Sequence, residues 1–144
     1  MFKKILVCID GSERSIQAAA VAAHLATVHK GALTLLHVFQ LPPFTEPFPG
    51  APTFALPLLD RYERDVKRAV IERTLPAIHE IGNGYDLLEE IGDPAEVIAR
   101  VADSREYDLI VMGSRNLDKD KLDRLGSVSH AVLCRAHCPT LVVR

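Results

Sequence analysis

Residues 108–144 read DLIVMGSRNLDKDKLDRLGSVSHAVLCRAHCPTLVVR, and the order of chemistry along them decides the fold. Asp108-Leu109-Ile110-Val111-Met112 is a short apolar run of the kind found in strands covered on both faces of a parallel sheet. Gly113 follows directly, so the backbone can turn sharply and approach a ligand with no Cβ in the way. Gly126-Ser127 then opens a segment in which Val128, Ala131 and Val132 recur at helical spacing, which predicts a helix over 127–136. The first turn of such a helix presents unpaired N–H groups and a partial positive charge, and the hydroxyls of Ser127 and Ser129 add donors for the same anion. The plainer alternative is that Ser127 only caps its helix and Gly113 only makes a turn. Residues 139–143 complete the unit as a final strand.

Outward from this unit the chain alternates strands and helices. Residues 3–9 form an apolar strand after two lysines, Asp10-Gly11-Ser12 makes a turn, and a helix over 14–30 follows with Val21, Leu25 and Val28 one turn apart. Its many alanines suit close packing on a sheet, and Gly31 ends it before a second strand over 33–39. Six of the nine prolines fall between Leu41 and Pro57, which marks a long irregular loop, an insertion within one domain. A long helix then places Leu59, Tyr62, Val66, Ala69 and Val70 on one face, with Pro76 kinking or restarting it and Gly82-Asn83-Gly84 closing it. A third strand covers 85–91, Tyr85 at its start. Asp93 and Pro94 are a natural N-cap and first helical residue for a helix that buries Ala95, Ile98, Val101 and Ala102. The resulting βαβαβαβαβ order implies a parallel sheet with helices on both faces and a ligand crevice beyond the carboxyl ends of its strands.

Composition bounds the function. A chain of 144 residues, 48% hydrophobic and 25% charged, buries an ordinary globular core without disulfides or metals. A formal charge of −2 gives no basic surface for nucleic acid or an anionic membrane. No apolar run approaches bilayer-spanning length, Met1-Phe2-Lys3-Lys4 leads into a strand instead of a signal peptide, and three cysteines suit a reducing compartment, so the expected location is the cytoplasm.

Gly113, two residues, Asn116, nine residues and Gly126-Ser127 together resemble the nucleotide-binding signature Gly-x2-Gly-x9-Gly-Ser/Thr of the universal stress protein family. The resemblance extends to Lys4-Ile5-Leu6-Val7-Cys8-Ile9-Asp10-Gly11-Ser12, the strand Leu33–Val38, the turn Gly92-Asp93-Pro94-Ala95-Glu96 and the closing Cys138–Val143, and so spans essentially the whole chain, one domain over 1–144. It implies a three-layer α/β/α fold like that of the adenine nucleotide alpha hydrolases, with a five-stranded parallel sheet in the order 3-2-1-4-5. It also implies that Cys8, Ile9, Asp10 and Val38 line a base and ribose pocket, that Met112, Gly113, Ser114, Arg115 and Asn116 line the phosphate side, and that Gly126, Ser127, Val128 and Ser129 stand opposite. The ligand would be ATP or another adenine nucleotide, with or without Mg²⁺. Asn116 stands where the family's nucleotide binders carry glycine; asparagine tolerates the left-handed conformation, but its side chain occupies space near a phosphate.

Asp10 reads equally well as a ligand to ribose or adenine and as an Asx-type cap competing with Ser12. The loop 117–124 with Arg115 carries four cations against three anions and decides nothing about phosphate affinity. His130, Cys134, His137 and Cys138 are read as helix and turn residues, so no metal site is expected, and no catalytic set is visible. The leading function is a non-catalytic, ATP-binding stress-response regulator. Its competitors are a regulatory module that binds a partner and no nucleotide, and a slow ATP-cleaving enzyme, against which the missing Gly-Lys-Ser/Thr loop speaks. The last strand, 139–144, carries no charge or proline in its interior and is expected to pair with its own copy in a homodimer, as the resemblance also implies. A regulatory protein partner is left open.

Overall fold

The structure is a computed structural model and describes residues 1–40, 55–79, 84–114 and 125–144. Five strands, β1 (Lys4–Cys8), β2 (Ala32–Phe39), β3 (Asp86–Ile91), β4 (Leu109–Gly113) and β5 (Thr140–Val143), form one parallel sheet in the order β3-β2-β1-β4-β5. The connections carry α1 (Glu13–His29), α2 (Ala55–Thr74) with a following 3-10 turn (Leu75–Ile78), α3 (Pro94–Ser104) and α4 (Ser127–Arg135). Because successive side chains of a strand point to opposite faces, the sheet feeds two cores. Ile5, Val7, Leu33, Leu35, Leu109 and Val111 pack with α1, Val70 and Ile78, whereas Leu6, Leu36, Ile110 and Met112 pack with Val97, Ile98, Val101 and Val132. Among the described residues, no helix is long and apolar enough to cross a membrane.

The sheet order matches the one expected, and the local differences have physical causes. In α1 the face turned to the sheet is made of Ala18, Ala19, Ala22, Ala23 and Ala26; Val28 is exposed, and Val21 and Leu25 are only half-buried. The helix lies so close to the strands that a methyl fits where an isopropyl does not, so the bulkier periodic set is displaced sideways. The left-handed cap of α1 is Lys30 (φ 50°), whose N–H reaches the Ala26 and Thr27 carbonyls, and not Gly31. α2 begins at Ala55, inside the expected loop 41–57, because Pro57 then falls in the first turn, where no backbone donor is needed. Tyr62 and Ala69 on α2 are exposed, and β3 begins at Asp86, one residue after Tyr85. Pro76 opens the 3-10 turn, and Asp93 caps α3 by accepting the Glu96 N–H at 2.9 Å. Residues 41–54, with most of the proline-rich loop, and Gly82 and Asn83 lie outside the described residues.

Candidate functional site

The sheet order reverses between β1 and β4, whose C-terminal ends part to admit a cleft of about 320 Å³. One side is apolar: Cys8 and Ile9 close β1, Leu36, Val38 and Gln40 come from one face of β2 and the residue after it, and Pro94 and Ile98 come from α3. The other side is Met112, Gly113, Gly126, Ser127, Val128 and Ser129, with Asp10, Ser12 and Ser15 at the rim.

The β1–α1 rim is locked by its own hydrogen bonds. Asp10 Oδ1 accepts the Ser12 N–H at 2.9 Å, and Ser12 Oγ accepts the Ser15 N–H at 3.2 Å as the α1 cap. Ser15 Oγ donates to the Ser12 carbonyl at 3.0 Å and accepts the Asp10 N–H at 3.3 Å. Gly11 at φ +79° supplies the left-handed residue this turn requires. Asp10 thus forms the turn through Oδ1, and the residue also borders the cleft.

Beyond this rim, β1 stops short of β2. The last rung is the Ile9 N–H on the Leu36 carbonyl at 2.9 Å. The amide groups of Val38 point the same way along β2 as those of Leu36, past the end of β1 and toward the cleft. This leaves an adjacent donor and acceptor at the apolar end. On the cleft floor, burial, and secondarily the Asp10 carboxylate, push the Cys8 thiol up to about 12.

At the opposite wall the N-cap of α4 is Gly126 (φ −58°, ψ 154°) with no side-chain cap, so Ser127 is the first helical residue and does not cap its helix. Gly126 has no side chain to cap the first-turn N–H groups of this nine-residue helix. Ser129 is buried, and its hydroxyl donates to the Gly113 carbonyl at 3.2 Å, which ties α4 to β4. It cannot also donate to an anion, contrary to the expectation; Ser127 is exposed and keeps its hydroxyl. Gly113 has a packing reason as well. A Cβ there would lie 2.6 Å from the Arg14 carbonyl carbon and 2.7 Å from its oxygen, so the seating of α1 on β4 by itself requires glycine.

Of the thirteen residues expected at the site, Cys8, Ile9, Asp10, Val38, Met112, Gly113, Gly126, Ser127, Val128 and Ser129 border this one cleft. Ser114 does not: it is buried, and its N–H is spent on the Val143 carbonyl at 2.8 Å. Arg115 and Asn116, with the loop to Arg124, lie outside the described residues. Ser12, Ser15, Leu36, Gln40, Pro94 and Ile98 complete the lining and were not anticipated. Among the described residues, no group of three or more His, Cys, Asp or Glu is placed to hold a metal ion.

Comparison with known proteins fits this geometry. The model of the universal stress protein family matches residues 1–144. The chain belongs to the universal stress protein family. A universal stress protein of Thermus aquaticus is 38% identical over 144 residues, and universal stress protein YxiE of Bacillus subtilis is 34% identical over 148, each alignment covering the whole of both chains. The structure of the universal stress protein UspA from Lactobacillus plantarum superposes with a TM-score of 0.81 at 26% identity, over 99% of this chain and 98% of that one. An Arabidopsis thaliana universal stress protein solved with AMP bound shares the fold at a TM-score of 0.68 and 21% identity, over 98% of this chain and 90% of that one.

Proposed function

We propose that this universal stress protein binds an adenine nucleotide, ATP or AMP, in the β1/β4 cleft and acts in the cytoplasm as a non-enzymatic regulator. The observation that carries this reading is the pairing of two features across one cleft: the Val38 N–H and C=O at the apolar end and, at the other, the N-terminus of α4 with a glycine at its N-cap. An adjacent donor and acceptor match the ring-nitrogen acceptor and exocyclic amine of adenine. A helix N-terminus matches a phosphate. Leu36, Val38, Pro94, Ile98 and Met112 offer the base an apolar slot, and Asp10 stands at the rim where a ribose hydroxyl would donate. A volume of about 320 Å³ is of the size of small-ligand pockets. The AMP held by the Arabidopsis relative supports the same ligand class. Mg²⁺ would accompany ATP only through the phosphates.

Calorimetry with AMP and ATP tests this, together with the rise in melting temperature that a ligand of the folded state produces. Binding by either supports the reading; the absence of heat and of any melting shift with both hands the cleft to the alternative, a regulatory module that binds a protein partner. Turnover of ATP should stay far below roughly 1 per second, the low end of enzyme rates, because among the described residues the lining offers no carboxylate or imidazole beyond the turn-forming Asp10 to activate water.

The assembly proposed is a homodimer through β5. This strand occupies one edge of the sheet, carries no charge within 140–143, and leaves Leu141 exposed. The other edge, β3, carries Asp86, Glu89 and Glu90, the charges that discourage pairing. Light scattering should give twice the single-chain mass, and Val142→Pro, which deletes a ladder donor, should return it to one chain. A single-chain mass for the native protein removes the proposal.

A further inference from the structure

On the face of β2 turned away from the cleft, a second cavity of about 440 Å³ lies between α2 and the β2–β3 edge, lined by His37, Phe39, Glu63, Lys67, Glu89, Glu90 and Ile91. Its floor is unusual. His37 is only 6% exposed and makes no side-chain hydrogen bond with any described residue, yet no buried side-chain nitrogen or oxygen among them is sealed off without a partner. The ring nitrogens of His37 therefore open onto the cavity.

The remaining charges are unevenly satisfied. The Lys67 ammonium is held by Glu89 at 2.5 Å, and the Glu90 carboxylate faces Arg100 at 3.3 Å. Glu63 has no ion pair among the described residues. Burial keeps the imidazole neutral by pushing its proton affinity down. Glu89 from β3, Asp10 from the β1–α1 turn and Glu63 from α2 push it up, and Lys67 from α2 pushes it down. The Lys67 and Glu89 charges cancel, as do those of Arg100 and Glu90, so the cavity is left with the unmatched charge of Glu63 and the one acceptor nitrogen of a neutral imidazole. Phe39, packed edge-on to Tyr62 at 6.0 Å, and the half-exposed Ile91 give the same cavity an apolar wall.

We propose that this cavity is a second binding site, for a small alkyl amine whose ammonium sits between the His37 ring and the Glu63 carboxylate and whose hydrocarbon lies on Phe39 and Ile91. Lone acceptors are completed by an N⁺–H donor, and charge-assisted bonds of this kind are the strong ones. The site is separate from the nucleotide cleft because His37 and Phe39 alternate with Leu36, Val38 and Gln40 across β2.

The test is a nuclear magnetic resonance titration of the full chain with butylammonium chloride at constant ionic strength, following the His37 ring protons, with 1-butanol and butyrate as neutral and anionic matches. Saturable shifts with butylammonium alone are expected. Glu63→Gln should weaken binding about tenfold, the worth of a charge-assisted hydrogen bond, with its melting temperature unchanged. His37→Phe, which fills the floor and removes the acceptor, should abolish it. Saturating AMP should leave the amine in place. The proposal fails if butylammonium gives no saturable shift, if butyrate or butanol binds as well, if Glu63→Gln binds as tightly as the native chain, or if AMP displaces the amine.

Discussion

The two walls of the cleft are built on opposite principles. The strand-end wall, Cys8, Ile9, Leu36 and Val38, is made of residues that would be ordinary core had β1 continued; they line a cleft because their neighbour strand stops. The helix wall, Gly113, Gly126, Ser127 and Ser129, is made of small residues that keep their side chains out of the way, so that α4 presents its backbone. What the first wall offers the proposed ligand is apolar surface and one open stretch of backbone. What the second offers it is a helix terminus. Strand-end residues should therefore be chemically quiet and tightly held, and helix-wall residues open and replaceable, except where they also carry packing.

The largest expected effect sharpens the quietness of the strand-end wall. With its thiol pushed up to about 12, Cys8 holds roughly a thousandfold less thiolate than a thiol of ordinary acidity at the same pH. Site-resolved alkylation by iodoacetamide near pH 8 should leave Cys8 unmodified while glutathione in the same tube is consumed; comparable rates would mean that solvent reaches this wall freely. Next in size is the exception in the helix wall. Gly113→Val drives a side chain into the Arg14 backbone, with its Cβ only 2.6 Å from the carbonyl carbon, and should cost about 3 kcal/mol in urea unfolding, the upper range for overpacking. A Gly113→Val protein of native stability would show that α1 can lift off β4.

The sequence makes the helix wall more legible than the strand-end wall, for a physical reason. Glycines and serines at fixed spacing between a strand and a helix are visible in one dimension, so Gly113, Gly126 and Ser127 were found, along with the sheet order that brings them to Asp10. Leu36, Pro94 and Ile98 look like core because they pack like core, and only the ending of β1 exposes them. One signal was available: with Val38 placed at the site, the alternation of a strand puts Leu36 and Gln40 on the same face. Individual hydrogen bonds were not legible. Nothing in the order of residues says that the Ser129 hydroxyl is spent on Gly113 or that the Ser114 amide is spent on Val143. In α1, likewise, periodicity marked Val21, Leu25 and Val28, and the distance to the sheet selected the alanines instead.

Gly126→Val separates binding from folding in a way that Gly113→Val cannot. Gly126 has a φ of −58°, which any residue adopts, so the backbone tolerates the change and the loss of a permissive N-cap costs about 1 kcal/mol. The new isopropyl group, however, stands at the helix terminus where a phosphate would dock. Calorimetry should show at least roughly tenfold weaker AMP binding, about 1.4 kcal/mol, in a protein that still melts cooperatively. Adenosine, which has no phosphate, should lose much less. Equal losses for AMP and adenosine would place the phosphate elsewhere and break the division between the walls.

The smallest expected effect concerns what stands behind the strand-end wall. His37 precedes Val38, on the other face of β2, and is held neutral with its proton affinity below the ordinary value of 6.5, chiefly by burial. The unfolded chain takes up a proton as pH falls through about 6.5, whereas the folded chain resists until its own lower value is reached. Between those two values the unfolded state binds more protons, so stability falls as pH falls across that window, is unaffected by this group above it, and levels off below it. Urea unfolding at about pH 7 and about pH 5 should show this loss in the native protein, and His37→Asn, which has no titrating proton, should lack its share of it. The protection of the β2 amides around Val38, taken relative to the intrinsic exchange rate at each pH, should then fall on acidification more than that of the α4 amides. An identical pH slope in the native and His37→Asn proteins would show that the imidazole titrates as freely folded as unfolded, and the acid sensitivity of the strand-end wall would have to come from its carboxylates instead.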